Sequence, residues 1–295
     1  MKRAAVHEGE DRERRATLYV VATPIGNLRD ISLRALDVLK SVDAVAAEDT
    51  RVTGHLLSHY GIARRLIAVH EHNEKRAAGQ VLGLLAGGRS VALVTDAGTP
   101  AISDPGALLV AAARDAGYPV SPVPGANAAI AALSVSGITA PHFLFCGFLP
   151  ARAGERKREL SVLAAVPYTL VFYEAPHRVI ATLGDLHAAL GGGRRIVIAR
   201  ELTKLFETIH ACSLADAAAW TAEYPDRERG EFVLVVEGAD RPAPDPAAAE
   251  RTLQALLGEL PLSRAVDLAV KISGAKKNAL YRAALEMKKS PRRGR

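Results

Sequence analysis

One rhythm restricts this chain more than any other feature. Its first half places short apolar, β-branched runs at 18–22, 42–47, 66–69, 91–94 and 120–123, with enough residues between successive runs for a helix. Runs that stay apolar along their length, instead of alternating, suit strands buried on both faces, and helix-length crossovers join parallel strands. The rhythm therefore predicts a mostly parallel sheet covered by helices on both sides, an α/β fold. Local signals mark helix starts. Asp104-Pro105 sets a capping carboxylate before a proline at the first helical position, ahead of the apolar run 108–113, and Asn73 is placed to cap a helix over 74–86 that stops at Gly87-Gly88.

A second part begins after a strand at 143–148, where Leu149-Pro150 and a charged stretch break the apolar pattern. It has strand signals of its own at 169–173, 196–199 and 232–236. Alternating Pro242, Pro244 and Pro246 mark a linker over 239–249, and the segments 250–259, 264–273 and 276–288 predict a small helical appendage. The expected division is a charged N-terminal extension over 1–15, α/β domains over 16–149 and 150–238, the linker, and a basic helical region over 250–295.

Charge sharpens that division. From 271 to 295 there are nine Lys or Arg against one acid, Glu286, a net +8, so the rest of the chain carries −2 of the overall +6. A cationic end of this kind suits either a solvated terminus or an arm that binds phosphates. No apolar run reaches the ~20 residues of a membrane helix, which points to the cytoplasm. Cys146 and Cys212 are too few for a disulfide framework and read as buried thiols.

Chemistry is expected where strands end. Val21-Ala22-Thr23-Pro24-Ile25-Gly26-Asn27-Leu28 follows the first strand, and Thr95-Asp96-Ala97-Gly98-Thr99-Pro100-Ala101-Ile102-Ser103-Asp104-Pro105-Gly106 follows the fourth. Pro124-Gly125-Ala126-Asn127-Ala128 follows the fifth. Open α/β sheets bind ligands at their carboxyl edge, so three elaborate loops there predict one shared crevice. No G-x-G-x-x-G or G-x-x-x-x-G-K-[ST] occurs, which argues against dinucleotide and P-loop sites. His70-Glu71-His72 lacks further ligands at metal spacing and reads as strand-end histidines, with no metal expected.

Three N-terminal motifs, Thr23-Pro24-Ile25-Gly26-Asn27-Leu28-Arg29-Asp30-Ile31, Glu48-Asp49-Thr50-Arg51 and Asp96 to Gly106, resemble those of the ribosomal RNA small subunit methyltransferase I family. Phe172-Tyr173-Glu174-Ala175-Pro176-His177-Arg178, Ala199-Arg200-Glu201-Leu202-Thr203-Lys204, Gly230-Glu231-Phe232 and Lys276-Lys277-Asn278-Ala279-Leu280-Tyr281 extend the likeness, in collinear order, over 17–289. The resemblance implies the tetrapyrrole-methylase fold, with S-adenosylmethionine held between two α/β domains. It also implies 2′-O-methylation of a cytidine of 16S ribosomal RNA at the decoding centre, on the RNA or the small ribosomal subunit, by a homodimer. One departure is the third loop, where the family's Pro-Gly-Pro gives way to Pro124-Gly125-Ala126, relaxing the turn.

Within that resemblance the cofactor is expected at Pro24, Gly26, Asn27, Asp96, Gly98, Thr99, Ile102, Ser103, Asn127 and Ala128, with Tyr173 either stacking on adenine or filling the core. Glu174, Glu201, Arg200 and Asp49 are the candidate catalytic residues, because a ribose hydroxyl needs a base or a nearby charge to become nucleophilic. Asp49 is equally suited to capping a helix near Arg51. Arg51, Lys204, Lys276 and Lys277 are candidates for holding substrate phosphate, and Arg152, Arg156, Lys157 and Arg158 for extending that track. Two alternatives remain at this level: a small tetrapyrrole as methyl acceptor, and a non-catalytic RNA-binding assembly factor.

Overall fold

The computed structural model describes residues 16–70, 72–240 and 246–289. Expectations placed on the first fifteen residues, Glu71, Pro242, Pro244 and the last residues, 290–295, lie outside that range. The chain divides into two compact units, Met1–Ala239 and Asp240–Arg295.

The first unit holds both sheets. In the first, β1 (Leu18–Val21), β2 (Ala44–Ala47), β3 (Arg65–Ala68), β4 (Val91–Val94) and β5 (Val120–Val123) run parallel in the order β3-β2-β4-β1-β5. Both faces are covered, as the uninterrupted apolar runs require. Val21, Val45, Ala47 and Val94 pack with Leu39 and Leu57 of helices α1 (Leu33–Ser41) and α2 (Thr50–His59). Leu18, Ala46, Val91 and Leu93 pack with Val81, Leu85 and Leu109 of α3 (Glu74–Ala86) and α4 (Ala107–Asp115). Side chains alternate between the two cores along each strand, the period-2 consequence of the pleat.

The last helix of this half, α5 (Ala128–Val135), is apolar nearly all round. Its Ala129 and Ala132 bury against Val171, Val197, Val233 and Val235, which belong to the second sheet. That sheet comprises β6 (Phe143–Phe148), β7 (Thr169–Glu174), β8 (Arg195–Arg200), β9 (Thr208–Ser213) and β10 (Phe232–Val236) in the order β6-β7-β10-β8-β9. Only β6 and β7 pair in parallel. Its far face packs on α6 (Ala153–Leu163), α7 (Val179–Leu190) and α8 (Leu214–Ala222). Edge strand β9, Thr-Ile-His-Ala-Cys-Ser, carries no apolar run, and the sequence reading passed over it.

The second unit is all helical: α9 (Pro246–Leu257), α10 (Leu262–Ser273) and α11 (Lys277–Lys289) enclose Leu253, Val266 and Leu280. Pro246 opens α9 instead of continuing the linker, in keeping with the preference for proline in a first turn. Helix α10 ends on Gly274 at φ +69, whose N–H donates to the Val270 carbonyl, and a short turn leads into α11. Among the described residues no helix is long and apolar enough to cross a membrane.

Three local expectations need correction. Helix α4 begins at Ala107, after Gly106 at φ +127, so Asp104 does not cap it. The cap is the buried Glu74 carboxylate of α3, which accepts from the N–H groups of Gly106 and Leu108, each at 2.9 Å. Asn73 stands at the N-cap of α3, yet its carboxamide turns back to the His70 N–H and the Ala68 carbonyl. Cys146 and Cys212 are half-buried, not fully buried; burial pushes the Cys146 thiol up to about 11 and raises Cys212 as well.

Candidate active site

The loops at the carboxyl edge of the first sheet are laced together by main-chain bonds. The Thr23 N–H donates to the Gly98 carbonyl at 2.8 Å and the Gly98 N–H returns to the Thr23 carbonyl at 3.2 Å. The Thr23 hydroxyl donates to Thr95 O, and the Thr99 hydroxyl reaches the Ala126 carbonyl at 3.0 Å. Gly125 lies so close to Ala22 that an added Cβ would stand 2.9 Å from the alanine methyl. Gly98 has φ +89, open to glycine at little cost. The Gly125-Ala126 turn is therefore held by its neighbours without the family's second proline.

These loops face the second sheet across a cavity of about 360 Å³. One wall is Ile25, Glu48, Asp96, Gly98, Thr99, Ile102, Asp104, Asn127 and Ala128; the other is Phe148, Tyr173, Glu174, Leu202, Glu231 and Val233. The walls are mostly apolar, but three carboxylates gather at the first. Burial raises Glu48 and Asp96, and it pushes Asp104 up to about 6 with the added repulsion of Glu48 and Asp96. Such a site favours a ligand with positive charge, which relieves both the desolvation and the repulsion.

Asp96, Gly98, Thr99, Ile102, Asn127, Ala128, Tyr173 and Glu174 all line this one cavity. The Tyr173 hydroxyl accepts from the Ala129 N–H at 3.2 Å, and its ring meets Phe145 and Phe148 edge to face. It serves the core and lines the cavity at once; burial raises its pKa. Asn127 caps α5, its side-chain oxygen accepting from the Ile130 N–H. Glu174 is buried with both oxygens engaged, by the Ala175 N–H at 2.8 Å, the Thr182 hydroxyl at 2.5 Å and the Arg178 guanidinium at 3.2 Å.

Pro24, Gly26 and Lys204 line a second hollow of about 480 Å³, which shares Ile25, Asp96, Ala97 and Glu231 with the first. Gly26 is a close-approach glycine, but what approaches is protein: an added Cβ would stand 2.5 Å from Lys204 Cγ and 3.1 Å from Leu202 O. The Asn27 N–H donates to the Thr203 hydroxyl, a further tie between the loops. Lys204 pairs with Glu201 at 2.9 Å and Glu231 at 3.1 Å. Burial acts to raise Glu201, but the bonds from Lys204 and the Glu231 N–H prevail and hold it below its usual value.

Ser103, Asp49, Arg51, Arg200 and Glu201 are not among the residues lining either hollow. Asp49 caps α2 and pairs with the exposed Arg51 at 2.5 Å. Arg200 is buried and spends its guanidinium on the carbonyls of Arg229, Phe206 and Asp226. Arg156 is buried too, paired with Asp185 at 2.6 Å, so it does not belong to an exposed cationic track. Lys276 and Lys277 belong to the helical unit, where Lys277 pairs with Asp267 at 2.7 Å. His70 and His72 have ring centroids 6.2 Å apart, and among the described residues no three metal-binding side chains cluster.

Sequence reasoning missed Glu48 and Asp104. Glu48 sits beside the chosen Asp49 in the same motif; strand alternation past Ala47 decides which neighbour faces the cavity. Asp104, directly before Pro105, carries the sequence signature of a helix cap, which masks its place in the cavity wall.

The two sheets with a crevice between them are the architecture of the tetrapyrrole methylases. The family model described as Tetrapyrrole (Corrin/Porphyrin) Methylases matches residues 17–218, and that described as the RsmI C-terminal HTH domain matches 243–288. Among solved structures, the cobalt precorrin-4 methyltransferase CbiF matches with TM-score 0.57 at 18% identity, over 77% of this chain and 97% of that one. A uroporphyrin-III C-methyltransferase from Thermus thermophilus, complexed with S-adenosyl homocysteine, gives TM-score 0.54 at 20% identity, over 75% and 97%. Curated relatives are far nearer. Ribosomal RNA small subunit methyltransferase I of Escherichia coli O157:H7 is 50% identical over 95% of this chain and 98% of its own, and that of Pseudomonas aeruginosa is 51% identical over 92% and 97%. The chain belongs to the ribosomal RNA small subunit methyltransferase I family.

Proposed function

We propose that this chain transfers a methyl group from S-adenosylmethionine to ribosomal RNA of the small subunit, at the ribose 2′-hydroxyl of a cytidine in the decoding centre. The observation that carries the reading is the first cavity, apolar in its walls and anionic on one side. A sulfonium with an α-ammonium finds Glu48, Asp96 and Asp104 there, and a flat adenine finds Ile25, Ile102, Phe148 and Val233. The donor set fits the cofactor.

When bound, S-adenosylmethionine supplies an electrophilic methyl carbon. The protein's share is positioning: the laced loops hold their main-chain groups without reorganisation. Asp96, Thr99, Asn127 and Ala128 hold the cofactor, with Tyr173 as a wall. Glu174, with its oxygens committed, fixes the turn at Ala175-Pro176, which also lines the cavity. Glu201 and Glu231 fix the Lys204 ammonium at the wall of the hollow that adjoins the cofactor cavity. Arg200 braces the turn that carries Glu201, and Arg51 offers an exposed guanidinium to RNA phosphate.

The helical unit engages RNA. Lys277, Asn278, Tyr281 and Arg282 are exposed on α11, at spacings that share one face, and this helix follows the turn of a helix-turn-helix. A small tetrapyrrole gives such a unit nothing to bind, which disfavours that acceptor. We also propose that the enzyme acts as a homodimer. Labelled S-adenosylmethionine, incubated with small subunits lacking the modification, should deliver its methyl to one cytidine ribose, mapped by resistance of the adjacent bond to alkali. Label on a base, or none at all, overturns the assignment.

A further inference from the structure

The second hollow differs in chemistry from the first and adjoins it. Its outer walls come from Leu28 and from Val52, His55, Leu56 and His59 on one side of α2. Leu28 and Val52 are exposed although apolar, at 39% and 43% of their surface. Both imidazoles are exposed as well. The wall does not move freely: the Tyr60 hydroxyl at the end of α2 donates to the Leu28 carbonyl at 2.5 Å, tying the loop after β1 to the helix. The floor, where the hollows meet, is Ile25 with Asp96 and Ala97.

We propose that this second hollow receives the base of the target nucleotide, resting on our reading of the chain as an RNA methyltransferase. A nucleobase swung out of its stack needs apolar surface for its faces and a few hydrogen-bonding groups for its edge. Leu28, Val52 and Leu56 supply the first, and His55 and His59 the second. The hollow's volume, about 480 Å³, leaves room for a pyrimidine with its sugar. A base held there puts its ribose toward the shared floor, beside the cofactor cavity, with Lys204 on the opposite wall. A phosphate is the poorer occupant, because Lys204 is neutralised by Glu201 and Glu231 and Asp96 adds a negative charge. The geometry thus assigns His55 and His59 to base recognition, a role the family motifs on either side of them do not carry.

Two variants test this in the full-length protein. In one, H55A and H59A together remove the edge contacts; in the other, V52W fills the hollow from its exposed rim. Each should raise KM for undermethylated small subunits about tenfold or more, the scale of losing contacts to one stacked base, while calorimetric affinity for S-adenosylmethionine and the melting temperature stay within error of wild type. If both variants methylate with wild-type KM and kcat, the base does not lie in this hollow and the inference is overturned. A wild-type chain that fails to bind S-adenosylmethionine instead defeats the functional reading itself.

Discussion

Glu74 and Gly106 are thirty-two positions apart in sequence, yet the Glu74 carboxylate accepts the Gly106 N–H at 2.9 Å and caps a helix other than its own. The bond joins the start of α3 to the end of the long β4 loop, and so anchors the cavity wall that carries Asp96, Gly98 and Ile102. Charge-assisted bonds to helix N-terminal amides are among the stronger ones a side chain makes. Glu74→Ala should cost about 2 kcal/mol, the loss of such a bond with buried amides left unpaired. Urea unfolding followed by circular dichroism checks it; a midpoint unchanged from wild type contradicts it.

The pH dependence of cofactor affinity should report Asp104. Its carboxyl titrates near 6 because burial and the neighbouring acids disfavour its charge. Between about 4 and 6 the folded chain holds a proton that the unfolded chain has released, so this group's contribution to stability falls as pH rises through that window. Cation binding runs the other way and weakens as pH falls through 6. The bound cation favours the carboxylate, which moves the midpoint in the complex below 6. Calorimetric titration with S-adenosylmethionine at pH 5 and 8 should show the difference, and D104N should flatten it. An equally steep profile in D104N assigns the dependence elsewhere.

Arg156→Ala should damage folding and leave RNA affinity alone. The guanidinium is buried against Asp185, and removing one member of a buried pair costs about 3 kcal/mol. A drop of several degrees in Tm, with RNA affinity unchanged where the variant remains folded, is the expected pair of results. Lost RNA affinity at unchanged Tm refutes it.

Arg282 is exposed on α11 and should contact phosphate if this helix faces RNA. R282A should weaken binding across sequences and lower the slope of log affinity against log salt by about 0.7–0.9, the release of one counterion. Filter binding at several salt concentrations measures it. An unchanged slope leaves α11 facing away from the RNA.

The sequence disclosed the parallel sheet because both-face burial leaves an uninterrupted apolar record in each strand. It disclosed the loops because prolines, glycines and acids crowd where a plain turn needs few. It did not disclose β9, whose polar residues are held by pairing with β8 and not by burial. Nor did it separate Glu48 from Asp49, since one step along the chain past a strand reverses the side a residue faces. Arg200 and Arg156 look like surface cations in any linear reading; only the fold shows the carbonyls and the carboxylate that consume them.

Helix α5 follows the first sheet in the chain but buries its alanines in the second. Swinging the two walls apart would have to tear Ala129 and Ala132 out of that apolar contact, so the slot keeps a fixed gauge. Turnover then cannot rely on a clamshell stroke, and entry falls to the rim of the slot, where Ile102 and Phe148 stand exposed.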